Sequence, residues 1–356
     1  GQVADKRYLV LVRGRWMNLT QHVRLPLFKF LTDGGERRVM VRDDGKAAHT
    51  VFRLMARWPE ASLLEAQLKT DPIARARLCL SCHLGNTDRF VSHRIMGAGH
   101  PRLSFELETF STIGPAHVTF DADYKERKGE PNGVRFWAVG QAIAVSGLMD
   151  VLRDPARSRD GLFPELVLFD CHACHHPMSD LRWKPKTAFG PSPGPGVARL
   201  NDSSLLMLRA IARRIDPALA EEITARVTDL HEAIAARHDV RVEAEALRAL
   251  ADRTATRIAA SSFSEADLRG LALALVDEGL EGHYADYAAA EQATMAIGSV
   301  LKSMDTKGLI GKTAPFNRGL DAVRRTRAND ETYRPAEFLA KLTEFRSLLA
   351  PGGAGR

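Results

Sequence analysis

Two short runs decide the reading of this chain: Cys79-Leu80-Ser81-Cys82-His83 and Cys171-His172-Ala173-Cys174-His175. Together they use all four cysteines, so no stray thiol is left over. A Cys-x-x-Cys-His run is the pattern of a c-type haem attachment site. The spacing of the two thiols fits one helical turn. The histidine that follows is then held under the iron as its proximal ligand. On this reading Cys79, Cys82, Cys171 and Cys174 tether two covalent haem c groups, and His83 and His175 bind their irons.

Other chemistries use paired cysteines. Four thiolates can hold a structural zinc ion. Zinc ribbons, however, space their pairs by roughly 15–20 residues, whereas 88 residues separate Cys82 from Cys171. Zinc also gives no reason for a histidine directly after each pair. Histidine makes up 12 of 356 residues, so two such placements arise by chance roughly once in a thousand. A thioredoxin-like redox pair calls for a βαβ setting, which neither run has. Disulfides remain a further alternative.

Working outward, residues 1–78 form an N-terminal region. Tyr8–Val12 reads as a short strand, and Arg38–Val41 before Asp43-Asp44-Gly45 as another ending in a turn. Pro26–Phe30 is an apolar cluster. Thr50–Trp58 and Ser62–Leu78 place apolar residues at helical spacing and predict helices. Residues 79–184 are the haem segment. It includes Ser104–Phe110, a charged loop at 121–133, and a strongly apolar helix over Val134–Leu152 that stops at Asp154-Pro155.

Residues 185–198 read as a linker, because Lys184–Gly196 holds four prolines and three glycines and cannot be helix or strand interior. Residues 199–356 predict an α-helical bundle. Its helices cover Asn201–Arg214, Pro217–Arg237, Arg241–Ala260, Glu265–Glu278, Tyr284–Met304 and Pro335–Leu349. A capping box joins Ser264 and Asp267. The fold class expected is mainly α: a haem-organised N-terminal region with few short strands, then an all-α bundle.

The opposite face of each iron decides what the haems do. Two histidines close an iron to substrate and suit electron transfer, whereas an open site implies chemistry on a small molecule. His93, His100, His117 and His176 lie near the motifs, with Met96 and Met178 as rivals. His176 follows a proximal ligand directly and so cannot reach back over the same haem. Pro101 restricts the backbone at His100. His22 and His49 are more ordinary surface histidines. Glu106, Glu108 and Asp121 are the carboxylates available to an enzyme.

The stretch from Cys79 through Ser92-His93 and Ala98-Gly99-His100-Pro101-Arg102-Leu103-Ser104-Phe105-Glu106, with Asp170–Met178, resembles the multihaem c-type cytochromes, extracytoplasmic electron carriers. The resemblance covers about residues 75–185. It implies covalent haem c, bis-histidine iron and electron transfer, with His93, His100 and His176 as distal ligands. Members with four haems carry further motifs upstream, which residues 1–78 lack; a second haem-bearing subunit would supply them.

The function expected is therefore a dihaem electron carrier rather than an enzyme. Its partners would be redox proteins, with other haem-bearing subunits or self-association as further options. The alternatives are a dihaem peroxidase or oxidoreductase with one open iron, and a relay subunit in a larger haem assembly. Haem attachment of this kind places the protein in the periplasm or outside the cell, after loss of a signal peptide. The net charge is +6 and the pI about 9.2, but no basic patch interleaved with aromatics is evident, so nucleic acid is not an expected partner. No run of about 18 apolar residues is present to span a membrane.

Overall fold

The computed structural model describes residues 7–31, 37–44, 46–68, 71–114, 125, 131–160, 163–175, 186–190, 194, 197 and 199–350. The chain divides into two compact units. One comprises Gly1–Arg75 with Phe110–Pro131, and the other Ala76–Thr109 with Asn132–Arg356. Among the described residues eleven α-helices outnumber seven strands, so the chain is mainly α.

The first unit is a five-stranded antiparallel sheet. Its strands are β1 (Arg7–Arg13), β2 (Thr20–Leu31), β3 (Arg37–Val41), β4 (Lys46–Arg57) and β5 (Ala61–Leu68), in the order β1-β5-β4-β2-β3. Strands were expected at Tyr8–Val12 and Arg38–Val41, and the structure has them. The helices expected over Thr50–Trp58 and Ser62–Leu78 are instead β4, β5 and the start of α1 (Pro72–His83). Val51, Phe52, Leu54 and Met55 fit both periods. β-Branched and aromatic side chains favour the pleated alternative, and pairing with β2 and β5 on either side settles it.

One face of this sheet is closed by Leu64 and Ser62, both fully buried, with the Trp16 and Phe52 rings 5.7 Å apart and tilted by 54°. The hydroxyl of Ser62 donates to the Gly14 carbonyl at 3.0 Å and accepts from the Trp16 amide at 2.9 Å. Gly14 takes φ +91°, which an L side chain resists, and so lets the chain leave β1. A bulge between Leu54 and Ala56 breaks the β4–β5 register.

The second unit contains the rest of α1, then α2 (His93–Gly97), α3 (Leu107–Ile113), which begins in it, and α4 (Gly133–Arg153). A two-stranded hairpin, β6 (Arg159–Asp160) and β7 (Phe163–Pro164), and two 3-10 turns follow at Leu166–Leu168 and Cys171–Ala173. The bundle is α5 (Ser203–Ile215), α6 (Pro217–Ala235), α7 (Arg241–Ala260), α8 (Glu265–Leu280), α9 (Tyr287–Thr306), α10 (Thr313–Arg325) and α11 (Pro335–Leu349).

α4 is the axis of this unit. It starts at Asn132, whose side chain accepts from the Arg135 amide at 2.9 Å. Apolar residues surround it on all sides, and Val134, Trp137, Val139, Ala142, Val145 and Met149 are completely buried. It packs chiefly on α7 and α5. The Ser264–Asp267 capping box starts α8 as expected. The helix Thr313–Arg325 was not anticipated from the sequence. Of the expected linker at 185–198, half of the residues lie outside the described ones. Among the described residues no helix is long and apolar enough to cross a membrane.

Candidate functional site

The first cysteine pair lies on the last turns of α1, where the i, i+3 spacing puts Cys79 and Cys82 on one face. The helix stops at Gly85, whose amide donates back to the Leu80 carbonyl at 3.0 Å. Gly85 adopts φ +91°, and a Cβ there would meet the Arg89 carbonyl oxygen at 2.4 Å. Only glycine fits this stop without strain. His83, exposed on the last turn, stacks on Phe105 with ring centroids 4.2 Å apart and planes 10° from parallel.

The second pair lies on the 3-10 turn Cys171–Ala173. Asp170 caps this turn, its carboxylate accepting from the His172 amide at 3.1 Å. The His175 amide donates to the Cys171 carbonyl at 2.8 Å, which closes the loop over the pair. The four thiols are not joined as disulfides.

His93 opens α2. Its amide donates to Glu165 Oε1 at 2.7 Å, and the same oxygen accepts from Val167 at 3.2 Å. Glu165 is buried, so one carboxylate ties the start of α2 to the segment that leads into Cys171. The result brings His93 against His175, with ring centroids 6.1 Å apart and planes tilted by 45°. Two metal–nitrogen bonds of about 2 Å plus the half-widths of two imidazoles come to about 6 Å. Among the described residues, the group of three or more His, Cys, Asp or Glu donors close enough to share one ion is instead Glu278, Glu281 and His283.

The other candidates fall elsewhere. His100 is exposed, and its Nδ1 lies 2.7 Å from its neighbour's carbonyl at Pro101. His117 and His176 lie outside the described residues, as do Met178 and Asp121. His83 is brought to Phe105 rather than to one of the candidate histidines. Glu106 is buried and caps α3, accepting from the amides of Glu108 and Thr109 at 2.7 and 2.8 Å. Burial pushes its carboxyl up to about 7, against the pull of those hydrogen bonds.

Between the two cysteine segments lies a cleft open to solvent. Leu80, Leu84, Phe90, Phe105, Ile143 and Leu168 give it apolar walls, and Cys171 and Arg102 reach it. Arg102 pairs with Glu291 at 2.7 Å and lies over the Tyr287 ring at 5.4 Å. Burial draws its guanidinium down most strongly, but the charge and hydrogen bond of Glu291, with Cys171 and Tyr287, together leave it above the ordinary value.

Behind Cys171, Lys186 is paired with Asp286 and lies 3.5 Å from Asp170. Burial and the Asp286 charge raise the Asp170 carboxyl, with Lys186 opposing them. Burial also raises the Cys171 thiol, which the Arg102 charge opposes. Sequence reasoning missed Glu165, Arg102 and Lys186. Their partners lie between 72 and 189 residues away or arise from burial, so no local pattern marks them.

The exposed face of the sheet is a second candidate. Cross-strand partners share a face in an antiparallel sheet. Thr20 pairs with Arg53, and His22 and Arg24 continue along β2 on the same side. Arg53 also pairs with Glu65, which pairs with Leu9, so Leu11 and Arg13 of β1 share that face. Arg13, Arg24 and Arg53 are all exposed. Residues 7–68 hold eleven Lys and Arg against six Asp and Glu, an excess of five in a chain of net charge +6. Basic and apolar residues interleave on this face.

No family model matches this chain, and no solved structure matches it. Among curated proteins, the chain is similar to a ribosomal large subunit pseudouridine synthase C of Haemophilus ducreyi, 40% identical over 65 residues, which is 18% of this chain and 20% of that protein. The enzyme of the same name from Yersinia pestis is 33% identical over 97 residues, 27% of this chain and 26% of the relative. That from Escherichia coli O157:H7 is 41% identical over 158 residues, 44% and 43% of the two chains. The chain thus spans less than half the length of the curated relatives it matches.

These findings correct the expected identity, because the relatives carry the name of pseudouridine synthases, not of cytochromes. On that ground the resemblance to multihaem c-type cytochromes is withdrawn. With it go the two covalent haem c groups, the electron-carrier role, its peroxidase and relay alternatives, and the preference for a carrier over an enzyme. The redox protein partners and the exclusion of nucleic acid are withdrawn too. So is the periplasmic or extracellular setting, which rested on haem attachment alone. Both Cys-x-x-Cys-His runs stand in the sequence as before. A five-residue motif fixes the spacing of its donors but does not by itself specify the group they hold.

Proposed function

We propose that residues 7–68 form an RNA-contacting module. The curated proteins to which the chain is similar over 65 and 97 residues carry the name of an enzyme that acts on the large ribosomal subunit. The observation that carries the reading is the charge: Arg13, Arg24 and Arg53 project from one face of a sheet that concentrates the chain's positive excess. Arginines held at strand spacing neutralise phosphates along a backbone and release counterions. The test is binding of large-subunit ribosomal RNA across a salt series. The triple variant Arg13→Glu, Arg24→Glu, Arg53→Glu is expected to bind at least tenfold more weakly with a flatter salt slope. Unchanged affinity and slope would remove the reading.

A second reading is favoured by the His93–His175 separation of 6.1 Å. It keeps Cys79, Cys82 and His83, and separately Cys171, Cys174 and His175, as two candidate metal-binding sets in the second unit, the second with the His93 ring beside it. Thiols at i, i+3 present two donors on one face, and the buried Glu165 fixes the backbone of His93. Elemental analysis, intact mass and an absorption spectrum of the purified chain identify the metal and any group bonded to the cysteines. A metal-free chain of unmodified mass, unable to take up added metal, would exclude it.

A further inference from the structure

Every residue lining the cleft between the two cysteine segments belongs to the second unit. One side of α4 forms its floor. Ile143, Ala144, Gly147, Leu148 and Val151 recur there at helical spacing, and the stretch from Ile143 to Val151 gives a trough about 12 Å long.

α4 holds three glycines, and two of them have packing reasons. A Cβ at Gly133 would meet the Glu108 carboxylate at 2.6 Å, and one at Gly140 would meet Leu107 Cβ at 3.0 Å. A Cβ at Gly147 would meet nothing within 4 Å. Glycine is a poorer helix former than alanine, so at Gly147 it weakens the helix without relieving a clash. What it leaves is room, in the middle of the apolar floor.

The charged lining has one sign. Among the described residues around the cleft, Arg102 alone is charged, and no Asp or Glu lines it. Its guanidinium donates to Glu291 at 2.7 Å, but Glu291 also pairs with Arg327 at 3.9 Å, so one carboxylate serves two guanidiniums. The carboxylates of Asp170, Asp202 and Asp286 line a separate, smaller cavity with Lys186 among them. Gln292 is buried and lines the cleft beside the start of α9, next in sequence to the partner of Arg102. Its Oε1 accepts from Gln141 Nε2 at 3.0 Å, which leaves its own two N–H donors for a ligand. Ser104, Asn201, Ser203 and Ser204 complete the polar lining and are neutral. Apolar walls with a few polar groups are the form of a small-molecule site. A guanidinium beside amide donors is the complement of a carboxylate.

We propose that this cleft binds a small apolar monocarboxylic acid, its apolar body along α4 over Gly147 and its carboxylate on Arg102 and Gln292. The inference needs neither RNA nor metal.

The test titrates the purified full chain with sodium decanoate by isothermal calorimetry, beside decanol and decylamine. The expected result is saturable one-to-one binding of decanoate, at least tenfold tighter than decanol, with no binding of decylamine. Arg102→Gln should weaken decanoate at least tenfold and bring it level with decanol. Gly147→Leu should fill the trough and weaken decanoate at least tenfold. Its urea midpoint should not fall, since leucine suits a helix better than glycine. This second variant decides the matter where Arg102→Gln disturbs the fold through Glu291. Absence of saturable decanoate binding overturns the proposal. So does equal affinity for decanol, which would make the cleft a neutral apolar site, and so does binding that Gly147→Leu leaves intact, which would place the ligand elsewhere. An intact mass showing a group bonded at Cys171 overturns it too, because Cys171 lines the same cleft and that group would occupy it.

Discussion

The imidazole rings of His93 and His175 lie 6.1 Å apart, tilted by 45°, although 82 positions separate them in the chain. Each comes from a short, separately capped turn. Ser92 starts one, accepting from the Ile95 amide at 3.3 Å, and Asp170 starts the other. Glu165 joins the two.

If the pair holds a metal, its two members are not interchangeable with His100. His93→Ala and His175→Ala should each reduce bound metal at least tenfold, read by elemental analysis after dialysis. His100→Ala should leave it unchanged, since that exposed ring lies against the Pro101 carbonyl. An equal loss in all three variants would mean that the pair is not the ligand set.

Glu165 acts on His93 through the backbone. Glu165→Ala leaves the His93 and Val167 amides without their shared acceptor, an effect of about 1–3 kcal/mol for buried donors. A thermal melt should show the loss. Metal affinity should fall as well, because the His93 ring is no longer fixed. Glu165→Gln keeps one oxygen acceptor and should recover part of both.

Gly85 and Gly97 make a paired control. Gly85→Ala puts a side chain at φ +91° with its Cβ 2.4 Å from the Arg89 carbonyl oxygen. It is expected to destabilise by about 1–3 kcal/mol. Gly97 sits in α2 with open space around its Cβ position, so Gly97→Ala should be neutral or stabilising by up to about 1 kcal/mol. Urea midpoints of the two variants distinguish them.

Two buried groups set opposing pH dependences. Burial lowers His231 from 6.5 to about 4, against the attraction of Asp202. Between these values the unfolded chain binds a proton that the folded chain refuses, so stability from this group is full above 6.5 and falls as pH drops towards 4. Burial raises Glu106 from 4.5 to about 7. Here the folded chain keeps a proton that the unfolded chain sheds, so stability from this group falls as pH rises from 4.5 to 7. Urea midpoints at pH 4.5, 5.5 and 7 should show the acid-side loss vanish in His231→Gln and the neutral-side loss vanish in Glu106→Gln.

Much of the second unit was legible in the sequence. Its helices hide one broad stripe each, so apolar residues repeat every three or four positions and mark α5 to α9 and α11 within a few residues. The capping box at Ser264 is a local signal of the same kind. α10 escaped because only Phe316, Leu320 and Val323 are buried in it, too few to stand out among its charges.

By itself, then, the sequence determined the helices, the spacing of the cysteine pairs and the positive excess of residues 7–68, because each is a property of neighbours along the chain. Tertiary structure decided that Thr50–Leu68 is sheet rather than helix, since its apolar pattern fits both periods and only hydrogen bonding to β1 and β2 separates them. It also decided that His93, not His100, meets His175, and that Arg13, Arg24 and Arg53 share a face. Those relations join residues dozens of positions apart, and no local pattern of side chains encodes a distance across the fold.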